Sequence, residues 1–498
     1  MLKLRKVISI FLGAVMMTAT LIGCKSVTPV TSSTPVSSAV SSESPTAKPV
    51  TLKWYIRFAQ QKDQQVVFDK VSQYMQEKIN ASVNFVPVAG ANYNEKMSAV
   101  IASNEDYDIC FTSSWANNYL SNVSKGAFLP LDDLLPTYAP AIWNLNAKFW
   151  DAVKVKGKIY GIINQQIFAR AAAISIKKEE AKQFNFDSKT YVKGDLSSLN
   201  SYIEKAYSAA AGARYVHVEV SDMSEYLKQD WIVGYNVPGA VDVTQSKITV
   251  VNQWKTASMN KLVDTLQDWN SKGWTSSKKF LSGMTQDLKN EIVDLGGTYK
   301  PGGAVETSLQ VGVDLDQIAS NDLLLTTGGI IATLSSINRN SKNPERALMM
   351  LNILFSDKYA YNLLNYGVEG THYKLNGEGK MITASVSADY NPQVSWELAS
   401  QFMSLLNEGQ DTDLWEQTKK LNQDATKSTL LGFSFDPTPV SSEIAKSQAV
   451  VAEYYQGICL GIYTDKEYEQ FLTKLDSAGT DKIIAEMQSQ IDKWQAAK

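Results

Sequence analysis

The sequence predicts an α/β fold with two lobes and a helical C-terminal region. Segments with the periodicities of strands and of helices alternate over the first half of the chain, which is the pattern of an α/β layer. From Trp396 onward the pattern is all-helical, and an apolar stripe with a period of 3.6 residues runs from Ile483 to Trp494. At 498 residues, the chain exceeds the size at which one hydrophobic core stops growing, so we expect two lobes.

Residues 1–23 have the pattern of a secretory signal. Lys3, Arg5 and Lys6 precede a short apolar run, and small residues come before a cleavage site. The run ends in Leu-Ile-Gly before Cys24, which resembles the bacterial lipobox. That resemblance implies a diacylglycerol linked to the thiol of Cys24, and two acyl chains hold a protein durably on a membrane. The alternative is an ordinary secretory signal that happens to contain a cysteine.

Residues 24–49 are expected to form a solvated tether between this anchor and the folded part of the chain. The segment from Lys25 to Lys48 consists almost entirely of Ser, Thr, Pro and Val and has nothing large to bury. A flexible chain of this length spans about 25–30 Å. We therefore expect the protein to be lipid-anchored at the extracellular face of the cell membrane.

The first block of the α/β pattern begins with a strand at Val50, whose residues alternate between apolar and polar. An apolar helical face follows from Val66 to Ile79. The other elements predicted in this block are strands at 82–88, 107–112 and 158–163 and a helix at 93–103.

The second block is less regular, and helices follow it. Its strands are predicted at 171–176, 214–220 and 247–251, and its helices at 179–184, 199–211 and 256–271. Glycines and prolines at 296–303 then break the chain. Later helices are predicted to begin at Asn343-Pro344, at Asp357 and at the capping box Thr464–Glu467.

Charge and cysteine content exclude two classes of protein. Removal of the three basic residues of the signal leaves 45 basic against 51 acidic residues, with no basic patch for nucleic acid. Only Cys110 and Cys459 follow Cys24, too few for a disulfide-stabilised secreted domain. Both lie in apolar runs, which favours buried free thiols over a bond between them.

No catalytic constellation stands out. The chain contains no HExxH, GxSxG, Walker or CxxC motif. His217 lies in an alternating strand and His372 in a turn, and isolated histidines are usually structural. Asp132 and Asp133 are adjacent in a loop, whereas glycoside hydrolysis needs two carboxylates about 5–10 Å apart across a cleft. We therefore predict no catalytic residue, no metal site and no cofactor.

Two stretches, DICFTSSW…GAFLPLDDLL (108–135) and WDAVKVKGKIYGIINQQ (150–166), resemble the N-lobe of extracellular solute-binding proteins of ABC importers (family 1). Residues 335–375 resemble the lipoprotein subgroup of that family that carries a DUF3502 domain, and residues 431–445 and 481–494 resemble its tail. Ile163 departs from the family, which usually has Pro there.

The resemblance implies a type II periplasmic-binding-protein-like fold, with mostly parallel sheets flanked by helices. It implies a first lobe of residues 50–166 with 318–368 and a second lobe of 167–317 with 369–498. Three crossings between the lobes are expected, near 164–170, 313–319 and 367–374.

The same resemblance implies the substrate-binding component of an ABC importer, which captures a solute between hinged lobes and delivers it to permease subunits. An oligosaccharide is favoured, because related importers mostly carry carbohydrate and because tryptophans lie near the predicted cleft. The alternatives are a peptide or another small solute, or, from a different class, a secreted carbohydrate-active enzyme. We expect a monomer without enzymatic activity.

Nine residues are predicted to contact the solute, because they lie on the loop after a strand, at the crossings or on the facing lobe. They are Trp115, Asn117, Gln165, Gln166, Trp231, Tyr235, Glu369, His372 and Tyr373.

Overall fold

The computed structural model describes residues 48–145, 147–218, 223–275, 290–379, 381–383 and 387–497. The predicted lipidation site Cys24 and nearly all of the tether lie outside these residues. Among the described helices, none combines the length and the apolar character needed to cross a bilayer.

The described elements are labelled in chain order. The strands are β1 (Val50–Arg57), β2 (Ala81–Val88), β3 (Ile109–Thr112), β4 (Lys154–Val155), β5 (Lys158–Ile159), β6 (Ile162–Ile163), β7 (Ala172–Lys177), β8 (Tyr215–Val218), β9 (Gln229–Trp231), β10 (Ala240–Asp242), β11 (Val250–Val251), β12 (Glu291–Thr298), β13 (Leu315–Ala319), β14 (Leu324–Leu325), β15 (Leu334–Ile337), β16 (Met381–Ile382), β17 (Leu406–Asn407) and β18 (Thr426–Lys427). The helices are α1 (Gln64–Ile79), α2 (Gly90–Ala102), α3 (Tyr119–Ser124), α4 (Leu135–Tyr138), α5 (Pro140–Leu145), α6 (Trp150–Val153), α7 (Lys178–Gln183), α8 (Asn200–Ala209), α9 (Ala257–Ser271), α10 (Gly303–Val311), α11 (Thr327–Ile330), α12 (Pro344–Ser356), α13 (Lys358–Tyr366), α14 (Leu414–Asp424), α15 (Ser441–Cys459), α16 (Asp465–Ser477) and α17 (Thr480–Ala496).

Two principal sheets organise the described chain. The first sheet has the order β2-β1-β3-β15-β6 and the second has the order β13-β7-β12-β8. In the first sheet, β15 runs antiparallel to both of its neighbours, while β1 is parallel to β2 and β3. In the second sheet, β7 is antiparallel to both neighbours and β12 is parallel to β8. Each sheet is therefore parallel except for one reversed strand, which agrees with the predicted fold class.

The reversed strand β7 is the first strand of the second sheet, and the reversed strand β15 is the one by which the chain returns to the first sheet. β6 ends at Ile163 and β7 begins at Ala172, so residues 164–170 connect the sheets as predicted. The predicted second crossing, 313–319, instead contains β13, and the chain returns to the first sheet over residues 320–333. This displacement arises because β13 is an edge strand with only Leu315 buried, so its sequence lacks a strand-like apolar pattern.

The predicted third crossing, 367–374, remains beside the first sheet. The ring of His372 lies 5.5 Å from that of Tyr390, a buried residue of the core around this sheet. The chain leaves later, and β18 pairs with β14 at the second crossing. Glycines at positions 367 and 370 indicate a turn, but their spacing cannot distinguish a turn from a crossing.

The C-terminal helices contribute to two cores, the core that covers the second sheet and a smaller one. Tyr455 of α15 and Phe471 of α16 pack with Trp254 in the core that covers the second sheet. Met487 of α17 lies in a smaller adjoining core with Val241 of β10. Cys110 and Cys459 are buried free thiols, as predicted.

Candidate functional site

Polar and aromatic side chains meet at one edge of the first sheet. Arg57 is the last residue of β1, and residues 113–118 follow β3 directly. Because β1 and β3 are parallel, their carboxyl ends lie at the same edge, where α/β folds place ligand loops. We call this region, together with residues 395–397, the carboxyl edge.

Trp115 presents its ring to solvent at the carboxyl edge. Its side chain is 48% exposed, and its indole Nε1 donates to the carbonyl of Ala332 at 2.8 Å. The ring centroid lies 6.0 Å from that of Trp396, and the Arg57 guanidinium lies 5.0 Å from it. The half-exposed indole of Trp115 and the indole of Trp396 beside it form an aromatic surface at the carboxyl edge.

An ion pair between Arg57 and Glu397 lies next to the ring of Trp115. Arg57 Nη1 donates to Glu397 at 3.0 Å from Oε2 and 3.3 Å from Oε1. The Glu397 side chain is only 1% exposed, and burial raises its pKa to about 7, while the positive charge of Arg57 opposes that rise. The backbone carbonyl of Glu397 accepts from Asn164 Nδ2 at 2.8 Å, which joins the pair to the first crossing.

Asn117 shapes the loop and is buried. Its Nδ2 donates to the carbonyl of Phe111 at 2.8 Å, and its Oδ1 accepts from Asn122 at 2.8 Å. Its backbone is left-handed, with φ of 44°, a conformation that Asn adopts more readily than most residues. Its amide therefore holds the loop that carries Trp115 and does not face solvent.

Gln165 and Gln166 are also buried, at the first crossing. The backbone of Gln165 pairs with residues 399–401, through bonds of 2.7 and 2.8 Å. Gln166 Nε2 donates to Thr333 Oγ1 at 2.9 Å, and its carbonyl accepts from Asn422 Nδ2 at 2.7 Å. Both residues join the crossing segments to one another in this conformation.

Asn422 is a member of this junction that the sequence did not reveal. Its Oδ1 accepts from the backbone amides of Phe168 at 2.6 Å and Ala169 at 3.2 Å. With the bond to Gln166, one buried side chain thus binds three backbone groups of the first crossing. Nothing in the helical pattern of α14 distinguishes this asparagine from its polar neighbours.

Trp231 and Tyr235 are not brought to Trp115. Trp231 is buried in the core of the second sheet, and its Nε1 donates to Gln229 Oε1 at 3.0 Å. Tyr235 is 37% exposed and stacks on Tyr455, with ring centroids 4.6 Å apart. Trp231 therefore has a packing role here, whereas Tyr235 keeps one part of its ring open.

The 367–374 turn contains one exposed and two buried predicted residues. Glu369 is exposed, whereas His372 and Tyr373 are buried. His372 Nδ1 accepts from the Val368 amide at 2.9 Å, so in the neutral ring Nε2 carries the proton and donates to Asp63 at 3.3 Å. The turn thus ties the end of α13 to the start of α1.

A buried cluster in the second sheet has residue types that can bind metals. His217 Nδ1 lies 2.6 Å from Asp294 Oδ1 and 3.8 Å from Glu291 Oε1. Positive charge is already close, because Arg214 donates to the Glu291 carbonyl at 2.5 Å and pairs with Glu180. The cluster belongs to strands β8 and β12 of the second sheet, whereas the carboxyl edge belongs to the first sheet.

The sequence analysis did not identify three residues of the candidate site, which are Arg57, Trp396 and Glu397. Arg57 ends a strand that was correctly predicted, so its position at a strand terminus was an available signal. Trp396 and Glu397 lie in a short 3-10 turn, Ser395–Glu397, which has no periodic pattern.

Comparison with known proteins agrees with this architecture. A family model described as a domain of unknown function (DUF3502) matches residues 429–496, which confirms the resemblance predicted for the tail. Over 442 residues, the chain is 25% identical to a carbohydrate ABC transporter substrate-binding protein of Streptococcus pneumoniae, covering 84% of this chain and 86% of that protein.

Solved structures share the fold. The N-glycan transport solute binding protein NgtS of Streptococcus pneumoniae is similar with a TM-score of 0.81 and 23% identity, over 90% of this chain and 99% of that chain. The complex of NgtS with Man5GlcNAc gives a TM-score of 0.73 and 23% identity, over 91% of this chain and 99% of that chain. The predicted two-lobed fold and the resemblance to solute-binding proteins of ABC importers are thereby confirmed.

Proposed function

We propose that this protein is the substrate-binding component of a carbohydrate ABC importer. One observation carries the proposal: a half-exposed tryptophan, Trp115, lies beside Trp396 and Arg57 at the carboxyl edge of a two-sheet solute-binding fold. An indole face matches the apolar C–H face of a pyranose, and nearby polar groups bond its hydroxyls. The described similarity to carbohydrate-binding relatives supports the same assignment.

The protein captures an oligosaccharide between the lobes built on the two sheets and releases it to permease subunits. A lipid on Cys24 holds the protein at the extracellular face as a monomer, with residues 24–49 as its tether. Binding without chemical change is the activity expected of such a receptor.

The experiment is isothermal titration calorimetry of the purified chain with mannose- and N-acetylglucosamine-containing oligosaccharides, with chromatography of the recovered sugar. We expect stoichiometric binding and unchanged sugar. Trp115→Ala should weaken binding by about 1–3 kcal/mol, the scale of an aromatic anchor. Trp143→Ala is the matched control, because Trp143 stacks on Trp150 of α6, whereas Trp115 lies beside Trp396.

Affinity that is equal in wild type and Trp115→Ala would contradict the assignment of the site. Shortened sugar products would instead identify a carbohydrate-active enzyme.

A further inference from the structure

The guanidinium of Arg57 has fewer hydrogen bonds than it can make. Its Nη1 bonds to Glu397, whereas its Nε is enclosed without an acceptor. Within the part of the chain that the structure describes, Nη2 also donates to no residue. A quarter of the side chain, 25%, is open to solvent. Buried and half-buried polar groups normally find partners, so this guanidinium has capacity for one more acceptor.

The surroundings hold this guanidinium in place without supplying that acceptor. The ring of Trp115 lies 5.0 Å from it on one side. On another side is Gly90, where an added Cβ would lie only 2.4 Å from Nη2. Gly90 also begins α2, and the start of a helix is positively polarised, so it offers donors rather than acceptors. The position of Arg57 is therefore fixed, and its unused donors are not met by the protein.

We propose that Arg57 is a specificity-determining residue that selects sugar units carrying a carbonyl-type oxygen, in an N-acetyl or a carboxylate group, over units with hydroxyls alone. This inference rests on the proposed carbohydrate-binding function. A carbonyl or carboxylate oxygen only accepts, which matches a guanidinium that only donates. Hydrogen bonds to a charged donor are roughly twice as strong as neutral ones. The bond to Glu397 through Nη1 remains, so the incoming acceptor displaces no partner.

The test compares β1,4-linked oligosaccharides of equal length that differ in one substituent. Cello-oligosaccharides carry hydroxyls only, chito-oligosaccharides carry N-acetyl groups, and oligoglucuronates carry carboxylates. Manno-oligosaccharides are a second hydroxyl-only series. Calorimetry with wild type should give at least tenfold tighter binding of an N-acetylated or carboxylated series. A preference that weakens as salt is raised identifies the carboxylate as the source, whereas an N-acetyl preference is insensitive to salt.

Two variants link the preference to Arg57. Arg57→Lys keeps the charge but loses the planar donor pair. This variant should bring the dissociation constants of all the oligosaccharide series within about threefold of one another. Gly90→Ala crowds Nη2 without removing Arg57 and should have the same effect. Arg214→Lys is the control, because Arg214, which directly precedes β8, makes a partly buried pair with Glu180 of α7, and this variant should keep the preference. Thermal unfolding of each variant verifies the fold.

The outcomes are distinguishable. If hydroxyl-only sugars bind as tightly as the others, or if both variants retain the preference, Arg57 is not the selector and the carbohydrate function stands. If no series binds although the oligosaccharides used to test the proposed function do, this proposal fails alone. If neither set binds, the carbohydrate function fails, and this proposal fails with it.

Discussion

Replacing Glu397 by Gln should change how the stability of the protein depends on pH. Burial raises the pKa of this carboxyl from its ordinary 4.5 to about 7 in the folded protein. The folded state therefore binds a proton more tightly than the unfolded state does. The free energy of unfolding that Glu397 contributes is fully present below the pKa that its carboxyl has in the unfolded chain. This contribution is lost as the pH rises through the pKa of the carboxyl in the folded protein.

The magnitude follows from the two pKa values. Between roughly pH 5 and pH 8, a carboxyl with this pKa shift lowers the free energy of unfolding by about 2–3 kcal/mol. Glu397→Gln cannot titrate, so its stability curve should lack this slope. Asp230 is buried with its pKa raised to about 6, so it also lowers stability as pH rises. Its effect is common to both proteins and cancels in their difference.

The assay is urea unfolding followed by tryptophan fluorescence and circular dichroism across that pH range. The free energy of unfolding of wild type minus that of Glu397→Gln should fall by about 2–3 kcal/mol from the acid to the alkaline end of the range. Glu416→Gln is the control, because Glu416 pairs with Lys419 on the exposed surface of α14, and its curve should run parallel to wild type. Parallel curves for Glu397→Gln as well would refute the reasoning that this carboxyl is buried and proton-binding.

Two further predictions concern the crossing and the anchor. Asn422→Ala removes three hydrogen bonds from the first crossing and should lower the free energy of unfolding by about 1–3 kcal/mol in thermal or urea unfolding. Gln423→Ala, on the exposed face of α14, is the control and should leave it unchanged. Equal transition midpoints for Asn422→Ala and wild type would contradict the role of Asn422. Cys24→Ala should abolish metabolic labelling with a fatty acid, and the protein should be shed or be retained by its uncut signal. Equal labelling of wild type and Cys24→Ala would exclude the anchor.

Local patterns in the sequence predicted much of the fold. The alternation from Val50 and the apolar stripe from Val66 to Ile79 became β1 and α1. The capping box of Thr464 and Glu467 is present, with both reciprocal bonds. Such features depend on residues a few positions apart, so their physics is contained in a short window of sequence.

The candidate site was predicted only in part. Trp115 lies on a strand-end loop, and its exposure agrees with the expected position of a ligand loop. Asn117 belongs to the same loop, yet its amide is turned inward to hold it. Polar residue type alone does not decide between facing a ligand and satisfying a buried backbone, because both uses need the same donors and acceptors.

The sequence by itself determined the fold class, the free thiols and the family to which the tail is similar. Only the tertiary structure decided which polar side chains meet. Arg57 and Glu397 are 340 residues apart, yet they form the ion pair beneath Trp115. Long-range packing brings such residues together and sets their burial, and burial is what raises the pKa of Glu397 and leaves Arg57 with unused donors.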